Sequence, residues 1–266
     1  MFTLLQIEWL KIKKYKPMWV IFGFLLLLLP SVTIGFGQLF GNFTEGNQAL
    51  TTVLGNPLDF NTVFYTAAYL NNGLNIAWGA LLILMIGNEF QSKTMRQNVI
   101  DGQHRNEIIH SKLLLVLIFS LVSSLLVILS GLIAGIMFSK STFYFDVVLL
   151  KIFGISFFAA IMQMLFALLF AFLIKRPALS VILYLIYTVF IENVLVSIIV
   201  YGFKFKYGQL LLTQAPDELT INPLTKNMKA ETSIFIEQDA VWIACVIYAA
   251  AILFFLYRYI NKTQLK

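Results

Sequence analysis

"NEFQSKTMRQNVIDGQHRNEIIHSK", residues 88–112, separates two long apolar runs and decides how the chain is organised. It gathers seven charged residues and both histidines, His104 and His110, in a 266-residue chain with only 19 basic and 13 acidic side chains. The flanking runs are longer than a globular core needs, since about 20 helical residues cross the hydrocarbon layer. Working outward, six such runs stand at about 18–40, 63–87, 113–138, 147–174, 177–201 and 240–258. Each is expected to be helical, because an unpaired backbone group in lipid costs several kcal/mol. With 59% hydrophobic residues and a mean hydropathy of +0.84, the chain reads as an all-α polytopic membrane protein. A single transmembrane domain fills residues 1–266.

The first run has the lysine-then-apolar order of a signal peptide. The 16 residues before it, and the lack of a small-x-small site after "FLLLLLP", favour a retained span. Cys245 is the only cysteine, so neither a disulfide nor a thiolate metal site is expected. With the N-terminus cytoplasmic, 13 of the 19 lysines and arginines fall on the inner side, and the flipped topology reverses the ratio. Both termini are therefore expected inside. The net charge of +6 is assigned to contact with anionic membrane lipids, with no need for nucleic acid.

Residues 1–17 place Leu5, Trp9, Ile12 and Lys16 at helical spacing. They form either an amphipathic helix on the inner leaflet, ended near Pro17, or a polar tail. Asn56-Pro57, Pro216 and Pro223 mark turns in two outer segments, and Pro177 suits the first position of the fifth helix. Gly131 and Gly135 make a G-x-x-x-G in the third span, for close packing within the chain or for a dimer seam.

Within the opening block, Glu89 to Asp101 reads as one helix, with Glu89 placed to pair with Lys93 four residues on. Gly102 stands where a helix stop needs positive φ, and a second helix starts near Arg105. Phe90, Met95 and Val99 give the first helix an apolar side suited to a groove on another protein. A solvated loop whose charges only fix topology is the alternative. In the fifth span, Glu192 carries a charge that costs about 2.5–3.5 kcal/mol near the bilayer centre. It is expected to line a path, to hold a segment that re-enters the membrane, or to be a structural hydrogen-bonded carboxyl. Asn193 and, more weakly, Gln163 join it as polar groups in apolar surroundings.

An acidic residue ending span two, a threonine, a basic residue, a Gly-x-x-Arg and a Ser-Lys opening span three occur here in order. They are Glu89, Thr94, Arg96 with Asn98, Gly102 with Arg105, and Ser111-Lys112. This layout resembles the cytoplasmic loop of type-2 ATP-binding cassette (ABC) exporter permeases. Lys93 departs from the pattern by standing where the family has glycine. The N-terminal "IEWLKIKKYKPMW" is also similar to the family's opening, so the resemblance covers essentially the whole chain.

The resemblance implies that the block is a coupling helix, with Glu89, Phe90, Thr94, Arg96, Asn98, Gly102, Arg105 and Lys112 as its ATPase-coupling residues. It implies two ABC ATPase subunits per complex, which bind ATP and Mg, and a second permease half, identical or related. No residue of this chain is then catalytic, in keeping with the lack of a G-x-x-x-x-G-K-[ST]. The resemblance also favours short helices between spans five and six, with span five ending near Ile191 and Val194–Leu212 folding back. Glu192, Asn193 and Gln163 become the candidate translocation path or outer gate. The expected cargo is amphipathic or hydrophobic, a peptide first and a lipid or drug second. Lysine outnumbers arginine 15 to 4, a ratio that fits an AT-rich bacterial genome, and the expected location is the cytoplasmic membrane of a bacterium. An intramembrane enzyme is disfavoured, because the membrane holds one acid and no paired carboxylates or H-E-x-x-H. A non-transporting scaffold is the remaining class.

Overall fold

The computed structural model describes residues 8, 13, 15–44, 60–139, 147–220 and 237–262. The apolar face formed by Leu5, Trp9 and Ile12, the turn at Asn56-Pro57 and the turn at Pro223 lie outside these residues. Among the described residues all regular structure is helical. Six helices are long and apolar enough to cross a membrane: α1 (Lys16–Thr44), α2 (Phe60–Gln91), α4 (Arg105–Phe138), α5 (Val147–Ile174), α6 (Pro177–Gly202) and α8 (Gln238–Lys262). Among the described residues, two short helices, α3 (Thr94–Ile100) and α7 (Gln214–Glu218), sit in the connections. The long helices run past the apolar stretches because backbone pairing continues into the headgroup zone, where charged side chains are tolerated.

α2, α4 and α5 pack against one another at the centre. In α2 and α5, 61% of the apolar window is buried, against 17% in α6 and 22% in α1 and α8. The glycine pair of α4 explains one close approach. A β-carbon on Gly131 would lie 2.5 Å from Phe64 Cδ1, and one on Gly135 would overlap the Phe60 ring. These glycines are therefore used against α2 of the same chain, which is how small residues let helices approach in lipid. At the other end of α2, a β-carbon on Gly87 would meet Pro177 Cβ at 2.7 Å, so α6 starts beside the end of α2. Pro177 occupies the first turn of α6, where its missing N–H costs nothing.

The helix expected over Glu89–Asp101 is broken. α2 continues to Gln91, and Lys93 takes a left-handed conformation (φ 58°, ψ 16°) before α3 begins. Glu89 thus lies in the last turn of α2, not at the start of the elbow helix, and its carboxylate turns to Lys112. A left-handed conformation costs a residue with a β-carbon about 1–2 kcal/mol, whereas glycine adopts it freely. This is a physical reason for a glycine at that place. Lys93→Gly is expected to melt no lower than the parent protein, since relief of strain offsets the entropy of a freer unfolded chain. Lys93→Val is expected to melt several degrees lower in the same detergent. The opposite order would show that the turn carries no strain.

α6 does not end near Ile191. It stays helical to Gly202 by way of two wide π turns, Ile186–Ile191 and Ile198–Gly202. The chain then reverses over 203–205, forms a 3₁₀ turn at Lys206–Leu210 and reaches α7. Because Thr213 bonds Glu192, ten residues back from Gly202, the segment dips about 15 Å into the bundle. The stretch that folds back along α6 is thus 203–220, whereas the first part of the Val194–Leu212 expected to fold back belongs to α6 itself.

Candidate functional site

The elbow is built from α3 and the turns on either side. α3 ends in a paired hydrogen-bond stop, in which the Gly102 N–H bonds the Val99 carbonyl at 3.2 Å and the Gln103 N–H bonds the Asn98 carbonyl at 2.9 Å. Gly102 has φ 97°, the conformation this stop demands. His104 precedes α4, and the Glu107 carboxylate turns back to accept the His104 backbone N–H at 3.2 Å. Thr94 Oγ1 donates to the Glu89 carbonyl at 3.2 Å, bracing the break from the other side.

The apolar side of α3 faces its own bundle. Met95 is 2% exposed, Val99 packs on the core, and Phe90, at the end of α2, meets the Phe172 ring edge-on at 5.5 Å. The groove-docking role expected for this stripe therefore fails, because the stripe is already covered. What α3 presents outward is Thr94, Arg96, Gln97 and Ile100, with Asp101 and Gly102 at the tip. Ile100 is 67% exposed, a large apolar side chain among polar ones.

Behind the elbow sits a buried ion triad. Lys112, 1% exposed, places Nζ 2.8 Å from Glu8 Oε1 and 2.5 Å from Glu89 Oε1. One ammonium thus joins the N-terminal segment, the end of α2 and the start of α4. A charge removed from water at several kcal/mol is tolerable only with such pairing. Asn88 Nδ2 donates to Tyr15 Oη at 2.7 Å beside it, along a cavity of about 590 Å³ lined by Tyr15, Met85, Glu89 and Thr94. Arg105 takes a different direction. Its Nη1 donates to the carbonyls of Ile260 (3.2 Å) and Asn261 (3.1 Å), putting a cation on the C-terminal end of α8. The residues grouped in the sequence therefore separate into three places: Thr94, Arg96 and Gly102 at the surface with the half-buried Asn98 beside them in the stop of α3, Glu89, Phe90 and Lys112 inside, and Arg105 on α8.

The second site is the seat of the returning segment. Glu192 is completely buried. Its carboxylate accepts the Thr213 N–H at 2.6 Å, the Gln214 N–H at 3.2 Å and the Thr213 hydroxyl. Asn193 accepts from Gln214 Nε2 at 2.9 Å, and its own amide donates to the Thr188 and Val189 carbonyls at 3.2 and 3.0 Å. Those carbonyls lie in the first π turn. At the far side of α7, Thr220 Oγ1 accepts from Asn72 Nδ2 of α2 at 2.6 Å. The segment is therefore held at both ends, by α6 and by α2. Gln163 is not brought to this seat, since its Nε2 donates to the buried Tyr184 hydroxyl at 2.9 Å between α5 and α6.

Sequence reasoning missed Asn71, Asn72 and Asn75. Asn71 and Asn75 form a buried network with Ser123 of α4, with bonds of 2.8 to 3.3 Å. The signal was "NNGLN" inside an apolar run, three amides that lipid would not accept unpaired. Among the described residues no group of three or more His, Cys, Asp or Glu is placed to hold a metal ion.

Six apolar helices, a polar elbow braced by a buried ion triad and a segment seated back between the helices define a multi-pass membrane protein. The chain belongs to the ABC-2 family transporter proteins, whose family pattern matches residues 4–191. It is thus a type-2 ABC permease, a transmembrane component whose family membership implies association with an ABC ATPase. Glu192, the returning segment and α8 lie beyond the matched stretch. No curated protein matches the chain.

Proposed function

We propose that this permease exports an amphipathic or hydrophobic cargo, a peptide first, across the cytoplasmic membrane of a bacterium, driven by ATP hydrolysis on separate ATPase subunits. The observation that carries this reading is the outward face of α3. Arg96, Gln97 and Ile100 stand clear of the bundle, while Met95 locks the other side of the helix to the core. A helix presented in this way transmits a push without bending away from it. Lys112, Glu89, Phe90 and the Asn98–Gln103 stop act as the brace. The working particle pairs two permease halves with two ATPases, and closing of the ATPase pair drives the two elbows together. Glu192 and Asn193 serve as the hinge of an outer gate formed by 203–220, and Gln163 fixes α5 against α6.

The test uses the permease purified with its ATPase and reconstituted in vesicles. Arg96→Glu and Ile100→Asp are expected to lower vesicle-stimulated ATP hydrolysis by about tenfold or more, as truncation of an interface anchor does. Assembly of the permease should stay intact, because both side chains point away from the core. Parent-level stimulation in both variants removes the docking assignment. A panel of amphipathic peptides, phospholipids and hydrophobic drugs then separates the cargo classes by which of them raises hydrolysis.

A further inference from the structure

We propose that α8 is a connecting rod between the elbow and the returning segment, so that a displacement at one end of the bundle reaches the other along a single helix. Its direction of use rests on the elbow being the ATPase-facing end, while the linkage stands on contacts within this chain. At the elbow end, Arg105 holds the carbonyls of Ile260 and Asn261. Beside it the His110 and Tyr257 rings meet at 6.0 Å, and Lys175 lies 5.8 Å from the Tyr259 ring centroid. Near the middle of α8, Tyr248 Oη donates to the Leu210 carbonyl at 2.8 Å. A separate apolar cluster joins Val241 and Cys245 of α8 to Ala215 and Leu219 of the returning segment and Met162 of α5. Three residues after Leu210 comes Thr213, the residue seated on Glu192.

The mechanics follow from how α8 is held. Its closed ladder of backbone hydrogen bonds keeps a nearly fixed length, about 18 Å over the twelve residues from Tyr248 to Ile260. Sideways it is held by a narrow stripe, with Ile252, Leu256 and Ile260 as its buried residues on this stretch. The central helices α2 and α5 are gripped on most sides and cannot slide without breaking a close-packed core. A lightly held, stiff helix with one polar anchor at its C-terminal end and another near its middle shifts as a unit over the stretch between them, as in shear motions of packed helices.

The experiment measures backbone hydrogen exchange of the full-length permease in lipid nanodiscs, without ATPase. Arg105→Ala is expected to speed exchange of the 206–220 stretch about fivefold or more, the lower range of coupling between distant sites. Exchange in the centre of α2 should not change. In a Tyr248→Phe background, which removes the far anchor, Arg105→Ala should add little or nothing. Arg105→Lys keeps the charge but shortens the reach, should fall between, and replaces the alanine variant if that one does not fold. Unchanged exchange at 206–220 overturns the rod. So do equal increments in both backgrounds, because independent sites more than about 10 Å apart add. With no ATPase in the assay, failure of the export reading leaves this result standing, and the rod can fail while ATPase docking holds.

Discussion

Lys112→Met is expected to yield little or no folded permease, the largest loss from any single side chain at the elbow. The Lys112 ammonium is the cation between Glu8 and Glu89, and it is 1% exposed. Without it, two carboxylates face one another in a largely desolvated site, Glu8 buried and Glu89 nearly so. Breaking a buried ion pair by deleting one partner costs about 3–5 kcal/mol, against a total stability on the order of 5–15 kcal/mol. Three segments separate at once, and the brace behind α3 goes with them. Lys112→Arg keeps the charge in a bulkier head and should be milder. A Lys112→Met, Glu89→Gln double variant should recover part of the loss, since it removes one of the two facing charges. The monodisperse fraction and melting temperature in detergent report all three. A Lys112→Met protein that elutes and melts like the parent would mean that the triad holds nothing together.

Glu192→Ala is expected to release the returning segment while the spans still assemble. The Thr213 N–H, the Thr213 hydroxyl and the Gln214 N–H all lose their acceptor. A buried polar group left without a partner costs about 1–3 kcal/mol, which exceeds what the Asn72–Thr220 bond returns at the other end. Ala215, now fully buried, reports the release when made cysteine in a Cys245→Ser background. Its labelling by a water-soluble maleimide should rise about tenfold or more with Glu192→Ala, for a loss of at least 1.4 kcal/mol. Glu192→Asp, one methylene shorter, should fall between. Labelling as slow as in the parent would mean that the seat does not depend on the carboxylate.

The spans were legible in the sequence because lipid imposes one length and one secondary structure on every crossing. The elbow's position was legible for a related reason, since polar residues had nowhere else to gather, and Gly102 announced its own turn. The break at Lys93 was marked only by the family's glycine at that place, not by the residue itself. Lysine is no marker of a left-handed turn, and its spacing from Glu89 suited a continuous helix. Lys112 was hidden more deeply, because a lysine beside an apolar run reads as a topology signal, and its partner Glu8 stands 104 residues away. The polarity of Glu192 was visible at once. What it bonds was not, because a carboxylate in a span specifies a need without naming the donor. Arg105 fitted a family pattern for the elbow, yet its contacts on α8 are set by how the last helix folds back, which no local spacing records.

The two π turns of α6 give the fifth crossing a property of gearing. Each wide turn carries a residue beyond the ordinary α repeat, so everything past it is rotated by about 100°. Glu192 and Asn193 lie just after the first of them, and Asn193 fills the carbonyls it loosens. The aim of this pair at Thr213 and Gln214 is therefore set by winding as well as by position along the helix. Tightening that one turn would swing the carboxylate off its seat while lengthening α6 by only about 1.5 Å along its axis.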